Sequence, residues 1–470
     1  MNRVLALGFG ETSWDRLRDR ALADDLPFLR GAAEGGACGI TVSPQPLATA
    51  LLWATVVTGR TPAGHGIFGP VRRDGNGPPR PVSFRDLAAP PIWRLLEDAG
   101  VPAGIFNVVY ADASDTASGF TVVRGPGPRI DRSLVHPEDL YPDLRRRFGH
   151  WMMTTTVPAR PDWVSIETRE IETRTEVLVH LLRTRPWRFA LAHLPEIAVA
   201  QHRLWDAGPG ALRALHAVVD RTMARLAEAA GPDTTVFVFS ECGAGPLRHG
   251  VCLNAWLARE GYLHRRGGAA PRVGRSLARA RDRTYRFMPW AFGLSRLARR
   301  ARAAISASLI DWSRTRAFCP GETAEIMLTV PAPERSALAG DLRARLLALR
   351  DPEGRRVVED VIPREAWDSS WDFTPDLTVV WDADAYLPMA TFDDSDEVFA
   401  DSPPRPSGWP LTGAHRREGM VLASGPGIAP TDLGRVRTVD LVPTWLDLLG
   451  VPVPKEIEGT SFAPALFGRP

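Results

Sequence analysis

Lysine is almost absent from this chain of 470 residues: Lys455 is the only one, and the remaining basic residues are arginines. Without a lysine in a pocket-forming segment there is no Schiff-base amine, and without a G-x-x-x-x-G-K-[ST] loop there is no P-loop, so pyridoxal and P-loop chemistries are excluded. Cysteine is scarce as well. Cys38, Cys242, Cys252 and Cys319 are scattered with no C-x-x-C pair, which supports neither a disulfide framework nor a zinc ribbon. An excess of one charge is also missing. The 57 basic against 55 acidic side chains leave a formal charge of +2, so the basic surplus of a phosphate-backbone binder is lacking and no nucleic-acid partner is expected. No apolar run is long enough to span a bilayer. The opening "MNRVLALGFG" runs straight into a strand pattern instead of an apolar leader with a small-residue cleavage site, so the expected location is the cytoplasm.

What is present is the composition of a globular protein, 44% hydrophobic and 24% charged. Apolar runs at 4–7, 102–110, 188–194, 234–240, 375–381 and 419–425 read as strands, separated by helical patterns such as those at 210–231 and 438–450. Strands alternating with helices predict a largely parallel sheet covered on both faces, with ligands at the carboxyl ends of its strands. The stretch from 264 to 316 is arginine-rich and interleaved with aromatics. It reads as the solvated face of an inserted cap, or as a basic lid over an anionic substrate or against acidic lipid. The expected organisation is a core over 1–263, a cap over 264–372 and a second core segment over 373–470.

Several strand exits and loops carry unusual polar residues. Gly10-Glu11 follows the first strand, and Thr49 stands where a helix begins, facing amides suited to an anion. "HLPEIAVAQHRLWD" holds His193, Glu196 and His202, "FSECG" holds Glu241 and Cys242, and "LTGAHRREG" holds His415. Taken in order with "LLWATVVTGRTPAGHGIFG", "VCLNAWLAREGYL", "TPDLTVVW" and "VDLVPTWLDLLGVPVPKEIEGTSFAPAL", these segments resemble the alkaline phosphatase superfamily, in its type I phosphodiesterase and nucleotide pyrophosphatase branch. The resemblance implies a three-layer α/β sandwich with an inserted smaller cap. It also implies a pair of metal ions, usually zinc, at the carboxyl ends of the sheet, where they clamp a phosphoryl group attacked by a threonine or serine.

By this resemblance the nucleophile falls on Thr49 and two histidine ligands fall on His202 and His415. The other ligand positions depart from the pattern. Gly10 and Ala198 stand where the family has aspartates, and Glu241-Cys242 stands where it has an Asp-His pair. Glu11 adjoins the first gap, but neighbouring side chains point in different directions, so it is not expected to fill it. A full two-zinc site is therefore not expected. The remaining set of His202, His415, Glu241 and Cys242 suits at most one zinc or iron ion. Arg248 and Arg416 are candidates to contact an anionic substrate, and His65, His193 and His249 are expected in structural or hydrogen-bonding roles.

Three functional readings follow. The first is an enzyme acting on a phosphate ester, diester or related anionic group through an altered metal site, with Thr49 as nucleophile and Glu241 and Cys242 as auxiliary ligands or a base. The second is a metal-independent tailoring transferase or lyase of secondary metabolism, with the same side chains as acid, base or nucleophile. The third is a non-catalytic protein that binds a phosphorylated ligand.

Overall fold

The computed structural model describes residues 2–14, 25–74, 80–113, 118–124, 130–151, 162–206, 209–266, 310–321, 323–389, 397–401 and 411–468. The arginine-rich stretch, apart from its ends, lies outside the described residues. The first strand, β1 (Arg3–Phe9), is buried along all but its first residue. Its side chains divide between two cores. Leu5, Leu7 and Phe9 enter one hydrophobic cluster, and Val4 and Ala6 enter another on the opposite face. That alternation is the period of a strand buried on both sides, which is why the run reads as continuously apolar.

Around β1 lies a nine-stranded sheet built from β2 (Ala37–Val42), β3 (Ala103–Phe106), β4 (Phe120–Val122), β5 (Val135–His136), β6 (Phe189–Leu194), β7 (Thr234–Phe239), β8 (Val421–Ser424) and β9 (Thr431–Arg437), with β1, in the order β9-β2-β8-β7-β1-β6-β3-β4-β5. Most neighbours are parallel; β8 runs antiparallel to both β2 and β7, and β5 runs antiparallel to β4. Helices α1 (Pro27–Gly35), α3 (Trp163–Thr184), α4 (Glu196–Leu204) and α5 (Pro209–Ala230) cover the face lined by Leu5 and Leu7, while α2 (Thr49–Thr58) and α6 (Leu441–Leu448) cover the other. The result is the α/β three-layer sandwich, with a large, mostly parallel central sheet.

The run at 375–381 sits elsewhere than its pattern suggests. Leu377–Trp381 pairs antiparallel with Glu325–Leu328 and Val358–Pro363, in a separate four-stranded sheet completed by Ala317–Phe318. All five of its residues are buried, so periodicity alone cannot say which sheet receives it. With the helix Ala332–Leu347, this sheet forms a third hydrophobic core drawn from Val251 to Val398, wider at both ends than the 264–372 insert read from composition.

Three strand ends place the site. β1 is in register with β6 and with β7, so that Gly8 pairs His193 on one side and Phe239 on the other. Their carboxyl ends therefore open side by side, and the segments that follow carry Glu11, Glu196 at the start of α4, and Glu241. Beside them a two-stranded antiparallel ribbon, Gly243–Pro246 with Gly413–Arg416, sets Ala244 opposite His415.

Candidate functional site

The loop after β1 turns sharply. Glu11 has φ 60°, in the left-handed region that costs a non-glycine residue roughly 1–3 kcal/mol unless its surroundings fix it. The surroundings do so here. Gln201 donates its side-chain N–H to the Glu11 carbonyl at 2.8 Å, and the Thr12 amide donates to Ser240 Oγ at 2.9 Å. Ser240 Oγ in turn donates to the Cys242 carbonyl, and Thr41 Oγ1 to the Ser240 carbonyl. These contacts tie the exits of β1 and β7 together and swing the buried Glu11 carboxylate toward His202 and His415.

His202, on α4, and His415, on the ribbon, are fixed from behind. The Nδ1 of His202 lies 2.8 Å from the Gly413 carbonyl and the Nδ1 of His415 lies 2.7 Å from the Leu47 carbonyl. A carbonyl can only accept, so each Nδ1 carries a proton and each Nε2 faces inward, where a neutral ring can offer its lone pair. There the Nε2 atoms stand 3.2 Å apart, with Glu11 Oε1 at 2.8 Å from His415 and 3.2 Å from His202. Donor atoms around a tetrahedral zinc, bound at about 2.0–2.1 Å, are separated by about 3.3 Å. The triangle is therefore close to one face of such a tetrahedron. Glu11 Oε2 is buried and has no hydrogen-bond partner.

The electrostatics agree with a shared charge. Burial alone would raise the Glu11 carboxyl, yet the two imidazoles hold it well below the usual carboxylate range. Burial alone would lower His415, and Glu11 overrides it, pushing the ring up to about 9. The protons withheld from Glu11 and kept on His415 describe the ion pair in the absence of any other cation.

The remaining expected site residues fall in different surroundings. Thr49 opens α2 with its side chain exposed, and its helix has no side-chain cap, so amides of its first turn are free to meet an anion. Glu241 does not join the ligand triangle. Its Oε1 accepts from the Trp53 indole N–H at 3.0 Å, and burial pushes the carboxyl up to about 7. Cys242 faces away into a small apolar cluster with Leu51 and Leu52, where burial pushes the thiol well above its usual range. The expectation that Cys242 and Glu241 complete a four-ligand set finds no support in this packing. A thiol sealed among leucines and a carboxyl held by an indole are not directed at the histidines. The Arg416 guanidinium donates to the carbonyls of Asp384, His415 and Pro246. Arg248 lies near Asp382 at 3.7 Å and over the Tyr386 ring. His249 meets Glu353 at 2.8 Å, a carboxylate already held by Arg355.

Beside this triangle, among the described residues, a second cation has no comparable set of donors; the other cluster, His249, Asp351 and Glu353, lies elsewhere, and its carboxylates are engaged by Arg355 and Tyr386. A Cβ placed on Gly10 would lie 3.1 Å from Ala198 Cβ, so the two positions that lack carboxylates pack directly against each other. His193 beside them is pushed down to about 3 by burial and packs tilted against the Trp53 ring at 4.2 Å. The donor chemistry of the triangle fits one cation. Sequence reasoning missed Glu11 because the left-handed turn, not the strand alternation, decides where its side chain points.

This fold, a mostly parallel sheet between helical layers, is that of the alkaline phosphatase superfamily. Within it, the profile of the type I phosphodiesterase / nucleotide pyrophosphatase family matches residues 8–390, and the chain belongs to that family. Among solved structures, murine ectonucleotide pyrophosphatase / phosphodiesterase 5, an inactive variant in complex with AMP, is 14% identical with a TM-score of 0.57, over 100% of this chain and 99% of that one. The human form is 13% identical with a TM-score of 0.56, over 99% of each chain. Phosphonoacetate hydrolase from Sinorhizobium meliloti, in complex with phosphonoformate, is 17% identical with a TM-score of 0.60, over 94% of each. At these identities the likeness is one of fold. A search of curated protein sequences finds no match.

Proposed function

We propose that this protein is an enzyme acting on a phosphate ester, phosphodiester or related phosphorus anion, with a single divalent cation held by Glu11, His202 and His415. The observation that carries the reading is the triangle of Oε1 and two Nε2 atoms with edges of 2.8–3.2 Å, both rings being held by main-chain carbonyls. A His2Glu set leaves a coordination position open, and a bound cation supplies charge neutralisation and a lowered pKa for a bound hydroxyl or water. The chain's own groups do the rest. The first-turn amides of α2 receive the anion's oxygens, and Thr49 presents a hydroxyl to the phosphorus from the same helix end. The solved relatives were captured with AMP and with phosphonoformate, which makes small phosphorus anions the first substrates to try.

The 2.8 Å contact between Glu11 and His415 also supports a second, cation-free reading in which that pair moves a proton. Elemental mass spectrometry of protein purified without chelator separates the two. About one zinc or iron per chain, lost in Glu11→Gln and in His202→Ala, together with turnover of a phosphodiester, phosphomonoester or phosphonate that falls at least about 100-fold in Thr49→Ala, is the expected result. No metal in the wild type would remove the first reading, and full turnover in Thr49→Ala would remove the threonine from the reaction.

A further inference from the structure

The small lobe, the part of the chain built on the Val251–Val398 core, reaches the site through the turn at Asp384. Leu377–Trp381 is followed by a turn in which Ala383 and Asp384, neither of them glycine, have φ of 50° and 51°. Two consecutive left-handed residues are costly and persist only when their surroundings hold them. Asp384 is 92% buried and its contacts all point the same way. Its Oδ1 accepts from Gln45 Nε2 at 3.1 Å and from Arg417 Nη2 at 3.3 Å. Its Oδ2 accepts from the Arg417 amide at 3.0 Å and from Arg417 Nε at 3.2 Å. Its main-chain carbonyl accepts from Arg416 Nη1 at 2.6 Å.

The two segments gathered in this way are those that orient His415. Gln45 lies two residues before Leu47, whose carbonyl fixes His415 Nδ1, and four before Thr49. Arg416 and Arg417 directly follow His415. Arg417 is braced further by Glu359, on the small lobe, at 2.6 Å.

We infer that Asp384 is a positioning residue for this site: from the small lobe it clamps residues 45 and 416–417 at the separation where the Leu47 carbonyl meets His415, and so sets His415 and Thr49 relative to one another. This rests on the proposed cation site for one of its readouts but not for the other. A carboxylate with four charge-assisted or amide contacts to two segments fixes their spacing more tightly than any single hydrogen bond would.

The test uses the full chain with Asp384→Ala, Asp384→Asn and the milder Gln45→Ala, each first checked for a cooperative thermal transition. The first readout is the His415 Nδ1 proton, followed by NMR in the metal-free protein, with that of His202 as an internal control. The second is affinity for Co2+, titrated by its visible absorption. The expected result is rapid solvent exchange of the His415 proton in the Asp384 variants while the His202 proton stays protected, and Co2+ affinity about 10–100-fold weaker. Gln45→Ala should show the same pattern to a smaller degree, and it keeps the test open if an Asp384 variant fails to fold. An unchanged His415 proton and unchanged Co2+ affinity in the folded variants would overturn the inference. If the wild type binds no Co2+ at all, the cation reading fails alone, and the proton readout still decides the role of Asp384.

Discussion

By the family resemblance Cys242 falls where a metal-binding histidine is expected, but its side chain belongs to the packing of α2, with Leu51 and Leu52. Its burial beside Leu51 and Leu52 and the upward push on its thiol make it a poor nucleophile toward external reagents. Iodoacetamide should therefore leave Cys242 unmodified in the native protein and label it on unfolding, as read by peptide mass spectrometry; rapid native labelling would contradict this burial. Cys242→Ser places a hydroxyl among leucines and should cost about 1–3 kcal/mol while leaving metal content unchanged. The family resemblance pointed to Thr49, His202 and His415, and the structure brings the two histidines together. Glu11 was not legible in this way, because a single backbone angle of φ 60° undoes the rule that adjacent side chains diverge.

Helix α2 joins the scales of residue and sheet. Trp53, on its buried side, reaches across to β1, where a Cβ on Gly8 would lie 2.7 Å from the indole. The same ring donates to Glu241 and packs tilted against His193. A glycine in a buried strand is thus the condition for an indole that satisfies a carboxyl at the end of another strand. Trp53→Phe should remove the donor, leave Glu241 short of a partner and lower stability by about 1–3 kcal/mol, measurable by urea denaturation. The central strands were legible as apolar runs, whereas the pairing of Leu377–Trp381 was not. Sheet membership there depends on long-range partners, and a five-residue run buried on both faces carries no mark of which sheet it joins.

At the scale of the whole molecule, the ion pair at the site makes stability depend on pH. His415 ordinarily titrates near 6.5, and although burial opposes it, the Glu11 carboxylate pushes it up to about 9 in the folded chain. That contribution is complete below 6.5 and is lost as pH rises through about 9. Glu11, held below its ordinary 4.5, contributes above that pH and loses its share only in acid. Metal-free protein should therefore melt at a lower temperature at pH 9 than at pH 6.5, and Glu11→Gln should flatten that dependence in a calorimetric series. Among the described residues no helix is long and apolar enough to cross a membrane. The lobes are also joined away from the site, where Trp371 donates its indole N–H to the Ala63 carbonyl at 2.9 Å. The left-handed turn at Glu11 finally has a consequence for sequence change. At that backbone angle glycine or asparagine is the easier residue, so selection for heat resistance in a chelating medium would drift position 11 toward them. Only selection for the site itself would keep the glutamate in place.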